Sequence, residues 1–389
     1  MTLDGRQVTV IGAGIGGLAA ALCLHRRGAR VTVLEQAEEI TEVGAGLQIS
    51  PNGVAVLRAL GLEDAVAAQA VRGRAVVLRD HDDGGEVLRL DLDRHAGDLR
   101  WYFVHRADLA AVLAAAARAE GVQVRLLQKV ERVVVADEPV VQMTNGARLR
   151  SELVVGADGL HSVARAALNG ADAPYFTGQT AWRAVVPNDL GLGPEAQVFM
   201  APGRHLVCYP LRGGQAVNIV AVQERAAWAA EGWHHLDDPD NLRAQFADFG
   251  GVAAQLLSQV DAVGFWGLFR HPVAPHWHGG GVAVLGDAAH PTLPFMAQGA
   301  NLALEDAWVL ADSLDRADNL VTGLAAYQAL RRDRAVRVIA AANGNAWKYH
   351  LRSGPVRAAA HLALRAGGAL APGRMLRRFD WIYRHDVTA

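Results

Sequence analysis

Two acidic residues in this sequence follow short apolar runs at points where the backbone must turn. Asp287 comes after Val282–Leu285 and Gly286, and Asp158 after Leu153–Val155, Gly156 and Ala157. Runs of this kind read as buried strands, and the carboxyl edge of strands is where open α/β sheets bind ligands. Beyond Asp287 lie Pro291, Pro294 and Gly299-Ala300-Asn301, and from about Asn301 an apolar-periodic helix begins. Its first N–H groups have no partner within the helix and face the side that Asp287 faces. A carboxylate there can accept from a hydroxyl, and the amides of Gly299–Asn301 can hold an electron-rich oxygen. A polyol chain joined to a heteroaromatic ring would satisfy both.

The elements that must position these groups begin at the N-terminus. Gln7–Ile11 reads as a strand, followed by Gly12-Ala13-Gly14-Ile15-Gly16-Gly17, an alanine-rich helix to about Arg27 and Gly28 as its C-cap. The second strand, Arg30–Leu34, ends in Glu35, 18 residues beyond Gly17, where an acid meets ribose hydroxyls in dinucleotide-binding folds. Glycine-rich Glu42–Asn52 follows, with Gly44 and Gly46 able to bring backbone close to a ligand, and Ser50 and Pro51 open a helix that stops at Gly61. Arg106 opens the long helix that ends at Gly121. A cation is disfavoured in a first turn unless an anion faces it, so Arg106 is a candidate phosphate ligand.

The chain of 389 residues carries a net charge of −2 and is 51% hydrophobic, enough for two subdomains with a full core. No basic run supports nucleic-acid or membrane-surface binding, and no apolar stretch is long enough to span a bilayer. Cys23 and Cys208 cannot build a disulfide framework, and Met1–Val10 lacks a signal peptide's features. A cytoplasmic protein is expected. Arg74–Leu92 reads as a hairpin around Asp82–Gly85. Gln179–Val186, Ala196–Met200, His205–Leu211 and Gln215–Val222 read as an antiparallel sheet inserted into the α/β domain, followed by a helix capped by Asp238 with Pro239 at its first position.

Three separated motifs now coincide: Gly12–Gly17 with Glu35, Gly156–Gly159 with Arg165, and Gly286-Asp287 through Asp306. Together they resemble the class A flavoprotein aromatic hydroxylases, single-component FAD monooxygenases typified by p-hydroxybenzoate hydroxylase. VGAGLQISPN, AWRAVVP and GDAAHPxxPxxAQGAN are similar to the salicylate hydroxylase and 3-hydroxybenzoate 6-hydroxylase branch. The resemblance implies an α/β fold: a Rossmann-like FAD-binding domain (1–72, 96–176 and 272–345), an inserted antiparallel β-sheet substrate domain (73–95 and 177–271) and C-terminal helices (346–389). It implies FAD contacts at Gly12, Gly14, Ile15, Gly17, Glu35, Gly46, Arg106, Val130, Asp158, Asp287, Pro294, Gly299, Ala300 and Asn301. Arg106 would meet the pyrophosphate and Asp287 the ribityl chain, while Asp158 serves both FAD and the nicotinamide. NADH or NADPH would be a transient co-substrate, because no second GxGxxG appears. The partners expected are O2 and a small aromatic acid, hydroxylated through a flavin C4a-hydroperoxide, in a monomer or homodimer.

A phenol is attacked faster when its hydroxyl is ionised, so a base or strong acceptor belongs beside it. His205 and Tyr209 fall on one face of a strand, and in related hydroxylases a His and a Tyr at this spacing line the substrate. They are the candidate catalytic pair, with Gln298 beside them. Arg183 could meet a substrate carboxylate, Phe295 would form an apolar wall, and Cys208 points to the opposite face. His276, His278, His234 and His235 lack companion carboxylates or cysteines, so no metal site is expected. Purine or N-heteroaromatic hydroxylation, epoxidation, and a flavin-binding regulatory protein without turnover remain open as alternatives.

Overall fold

The computed structural model describes residues 3–40, 45–171, 174–225 and 235–389, the side chains of 345–347 excepted. Glu42–Gly44 of the glycine-rich segment and His234 lie outside the described residues. The N-terminal sheet has six strands in the order His278–Gly279, Val282–Val284, Leu153–Gly156, Gln7–Ile11, Arg30–Leu34 and Gln123–Arg125. Every pairing in it is parallel except the edge hairpin of His278–Gly279 with Val282–Val284. Helices cover both faces of a parallel sheet, which is why these strands read as continuous β-branched runs without alternation. Val10, Val33, Val154, Val155, Val282 and Val284 are fully buried.

The second sheet has eight strands: Leu236–Asp237, Val263–Arg270, Tyr175–Pro187, Ala216–Glu224, Arg204–Leu211, Glu195–Ala201, Ala75–Asp80 and Glu86–Asp91. It departs from the sequence reading in two ways. Val263–Arg270 is a full member, hidden in the sequence because Gly264 and Gly267 interrupt its alternation. The sheet is also not wholly antiparallel, since Ala75–Asp80 pairs parallel with Glu195–Ala201. The hairpin around Asp82–Gly85 forms as read.

The two faces of this sheet have different neighbours. Trp182, Ala184, Leu206, Cys208, Ile219 and Ala221 pack with Leu242, Phe246, Phe249, Leu256 and Leu257, which come from or adjoin the helices Pro239–Gln245 and Gly251–Ser258. Asp238 caps the first of these helices, accepting from the Asp240 N–H at 2.9 Å. The alternate residues, His205, Val207, Tyr209, Arg183, Val220 and Val222, are left for the face toward the first sheet.

Helix Gly299–Arg316 packs on helices Ile15–His25 and Pro51–Ala59 and on the long helix Leu320–Ala346. Inside that junction lies an ionic network with almost no solvent contact. Asp306 accepts from the Gly286 N–H at 3.0 Å, His290 Nε2 at 2.5 Å and Arg331 Nε at 2.8 Å. Its neighbour Glu305 pairs with Arg331 at 2.6 Å and Arg334 at 2.7 Å, and accepts from Asn52 Nδ2 at 2.6 Å. Burial would raise the Asp306 carboxyl, but His290 and Arg331 hold it down at about 2.

Removing one member of such a network leaves an uncompensated buried charge. Arg331→Met should destabilise the protein by about 3–5 kcal/mol, read as a lower urea midpoint with an unchanged slope. The Asp306 carboxyl has a folded value of about 2, below its unfolded value of roughly 3.9. Its stabilisation should therefore be complete above pH ~4 and be lost as pH falls toward ~2, and an acid titration followed by near-UV dichroism would show it.

Candidate active site

A cavity of about 280 Å³ lies between the nucleotide-side loops and the eight-stranded sheet. One wall is backbone-rich, formed by Gly14, Ile15, Gly46, Ala157, Gly159, Asp287, Pro294, Gly299 and Ala300, with Arg106 among them. The other wall is the free face of the large sheet, together with Phe295 and Leu293 from the loop before helix Gly299–Arg316.

The glycine turn has the close contacts its sequence demands. Gly12 has φ +98°, and a Cβ there would sit 2.5 Å from the Ala157 carbonyl oxygen. At Gly17 a Cβ would come within 2.0 Å of the Gly12 oxygen, so the helix can start this close to the strand only without a side chain. Glu35 accepts from the Ala13 and Ala37 N–H groups at 2.8 and 2.9 Å, which fixes its carboxylate beside the turn. Asp287 is open to the cavity yet surrounded by protein. Burial pushes its carboxyl up, while Arg106, His290 and His271 oppose that shift. Asp158 accepts from Ser162 Oγ at 2.5 Å and from the Val163 and Ala164 N–H groups, ordering the turn that carries Gly159 into the cavity. Arg165, expected beside this motif, is a clamp whose guanidinium donates to the carbonyls of Pro272, Ala288 and Ala289.

Val130, Asn301 and Gln298 are also named from the sequence. Val130 opens strand Val130–Val134 in a three-stranded sheet and packs on the core of the first lobe, outside the cavity lining. Asn301 ties helix Gly299–Arg316 to strand Gly46–Ile49: its Oδ1 accepts from the Ser50 N–H at 2.9 Å and its Nδ2 donates to Gln48 and Ala297. Ser50 stands at the N-cap position, but its hydroxyl donates to Asn52 Oδ1 instead of capping. Gln298 lines the cavity with its amide engaged, donating to Ser50 Oγ at 3.0 Å and to the Met296 carbonyl and accepting from Asn52. These bonds make it a brace for the loop. That loop holds two consecutive non-glycine residues with positive φ, Met296 at +61° and Ala297 at +53°.

On the sheet wall the register sets the pattern. His205 pairs opposite Val222, Val207 opposite Val220, and Tyr209 opposite Asn218; on the next strand Arg183 pairs opposite Val220. Each of the three cross-strand rows holds a polar residue, separated by apolar ones. Burial pushes the Arg183 guanidinium down to about 10, with Tyr209 opposing and Arg106 adding to the shift, and Arg183 lies 5.3 Å from the Trp266 ring centre. Burial also raises the Tyr209 hydroxyl, so it stays a neutral donor. Its ring packs 5.2 Å from Phe103, and the Asn218 beside it accepts from the Gly46 N–H at 2.7 Å. His205 is buried and pushed well below its ordinary value by desolvation and by His350, whose Nε2 is 2.7 Å from its Nδ1. Trp266, Tyr349 and His350 went unnoticed in the sequence. Trp266 belongs to the interrupted strand, and the other two lie in a short 3-10 turn, Trp347–His350, with no periodic signal.

A family model described as an FAD binding domain matches residues 6–342. The chain is 36% identical to the 3-amino-4-hydroxybenzoate 2-monooxygenase of Streptomyces cremeus over 358 residues, covering 90% of this chain and 89% of that protein. It is 32% identical to a 3-hydroxybenzoate 6-hydroxylase of Aquipseudomonas alcaligenes, covering 98% of each. Among solved structures, Klebsiella pneumoniae HpxO complexed with FAD and uric acid superposes with a TM-score of 0.82 at 26% identity, over 94% of each chain.

The residues present fit FAD. Gly12 and Gly17 let the helix Ile15–His25 start tight against the first strand, so that its N-terminal end at Gly14 and Ile15 opens on the cavity; Arg106 supplies a cation, and Asp287 presents an acceptor. Asp287→Ala should weaken FAD binding by about 1–3 kcal/mol through loss of that acceptor. The loss should appear as lower flavin content on gel filtration and a raised dissociation constant on titration with FAD. Unchanged affinity would remove Asp287 from the cofactor site.

Proposed function

The chain belongs to the FAD-binding family of flavoprotein monooxygenases, and from that membership we propose that it hydroxylates a small aromatic acid whose carboxylate meets Arg183 and Tyr209 and whose ring hydroxyl meets His205. The observation that carries this reading is the spacing of polar residues on an otherwise apolar sheet face. His205 and Tyr209 are four residues apart on one strand, which sets their backbones roughly 13 Å apart. The sequence alone suggested that both flank one hydroxyl. Their separation instead suits opposite ends of a small substituted ring, with Val207, Val220 and Val222 between them.

Bound FAD, reduced by NADH or NADPH, supplies oxygen activation and transfer of OH to the ring. The protein's part is to bind, orient, exclude water and manage one proton. Arg183 offers a planar fork to a carboxylate, and Tyr209, held neutral by burial, donates to it. His205, neutral for the same reason, accepts from the ring hydroxyl and raises electron density at the carbon to be attacked. Trp266, Leu268 and Phe295 close the pocket with apolar surface. A purine is the second reading, favoured by the likeness to HpxO with uric acid, since the same guanidinium fork can hold a carbonyl edge. The two buried free cysteines suit a reducing cytoplasm, and the enzyme would act as a monomer or homodimer.

A substrate panel of salicylate, 3-hydroxybenzoate, 3-amino-4-hydroxybenzoate and uric acid, scored by substrate-stimulated NAD(P)H oxidation, tests the reading. Flat stimulation across the panel with FAD bound would overturn it. With the best acid, His205→Ala should retain FAD and slow oxygen transfer by roughly 10²–10⁴. NADH or NADPH would then be consumed with release of hydrogen peroxide, and the ratio of product to NAD(P)H oxidised would fall. Arg183→Met should act differently, raising KM about tenfold or more for the acid while leaving KM for the corresponding neutral phenol unchanged.

A further inference from the structure

His205 is fully enclosed, and an imidazolium in that position would carry an uncompensated charge among Phe295, Tyr349 and the sheet wall. A proton it receives must therefore go elsewhere. The hydrogen bonds around it lead outward. His205 Nδ1 lies 2.7 Å from His350 Nε2, and His350 Nδ1 lies 3.0 Å from Glu224 Oε1. The other Glu224 oxygen is 2.6 Å from Arg352 Nη2. Glu224 and Arg352 line a surface recess with Thr177, Gly178, Gln179 and Arg225, and about a third of the Glu224 side chain is solvent-exposed.

The outer end of this chain fixes the direction of every bond in it. Burial would raise the Glu224 carboxyl, but Arg352 and His350 hold it below its ordinary value, so at neutral pH it is ionised and can only accept. His350 must then donate from Nδ1, and burial keeps its ring neutral, so its Nε2 is an acceptor. His205 in turn donates from Nδ1, which leaves its Nε2 as the free lone pair on a residue that lines the cavity. A partly exposed acid thus sets the tautomer of a buried histidine two links away.

We propose that His350 and Glu224 form a proton relay between the substrate hydroxyl and solvent, resting on the reading of His205 given above. The substrate O–H bond breaks as a proton joins His205 Nε2, and the Nδ1 proton of His205 passes to His350 Nε2. The Nδ1 proton of His350 passes to Glu224 Oε1 and from there to water. No charge stays on either ring, and the reverse passage restores both tautomers and can return a proton to the hydroxylated ring. The titratable and charged groups facing the path are Tyr349 at its inner end and Arg352 and Arg225 at its outer end, besides its three members. His350 and Glu224 are positioning and relay residues, whereas His205 touches the substrate.

The test uses the FAD-loaded enzyme without turnover and 3-hydroxy-4-nitrobenzoate, whose colour reports ionisation of its hydroxyl. After a stopped-flow pH jump, wild-type enzyme should ionise the bound probe in a fast phase with a solvent deuterium effect from more than one proton. His350→Gln should retain FAD and the probe and slow that phase at least tenfold. Glu224→Gln, at the exposed end, should retain FAD and the probe, slow that phase several-fold and shift the pH dependence of the rate. His205→Ala separates the two readings. If it ionises the probe as wild type does, His205 is not the acceptor and the relay falls with it. If His205→Ala abolishes the fast phase while both His350→Gln and Glu224→Gln keep the wild-type rate, only the relay is overturned.

Discussion

The buried pair Glu305-Asp306 facing Arg331 is the interaction on which the rest of the molecule depends. Taking these charges out of water is costly, and only complete pairing offsets it. Here each charge has an opposite one because four separate segments are brought to one place. Asp306 fixes the Gly286 turn, and with it the direction in which Asp287 faces. Glu305 holds Asn52 and so the start of helix Pro51–Ala59. Arg334 extends the network to the carbonyls of Trp381 and Ile382 near the C-terminus. An apolar core of the same volume could be as stable, but it would not specify these directions.

Alternation along the large sheet gives the second level of organisation. Successive residues of Arg204–Leu211 serve two masters: Leu206 and Cys208 secure the covering helices, and His205, Val207 and Tyr209 face the cavity. A one-residue slip in register would exchange the two sets, so the helical layer that buries Trp182 and Phe246 also keeps His205 turned to the cavity. The site's accuracy therefore comes from packing on the side remote from it. Asn218 links the two lobes at the same point, since its side chain accepts from the Gly46 backbone beside Tyr209.

The sequence was most legible where a single local rule decides the outcome. Gly12 and Gly17 are required by a turn, Asp287 follows a strand of three β-branched or small residues, and the hairpin at Asp82–Gly85 has its own turn chemistry. Legibility failed where function comes from distant segments meeting. Nothing local marks His350 or Glu224, which are 126 residues apart and meet only because the short Trp347–His350 turn packs on strands Glu195–Ala201 and Arg204–Leu211. Gln298 was legible as a cavity residue, but its hydrogen bonds to Ser50 and Asn52, some 250 positions earlier, were not.

The strand order of the first sheet has a consequence for how the molecule comes into being. The βαβ unit that begins the cofactor site is complete by Leu34, yet the strand that delivers Asp287 pairs with Leu153–Gly156 only after the whole large sheet has been made. At ribosomal speeds, the early half waits on the order of ten seconds for its missing edge. During that interval the strand Leu153–Gly156, paired on one side with Gln7–Ile11, has its other edge unpaired, a feature that invites wrong partners. The eight-stranded sheet is in the same position, because its Ala75–Asp91 hairpin must wait for Glu195–Ala201. The first lobe receives its last strands only after the large sheet has been made, so the groups gathered around Asp287 exist together only once both lobes have been synthesised.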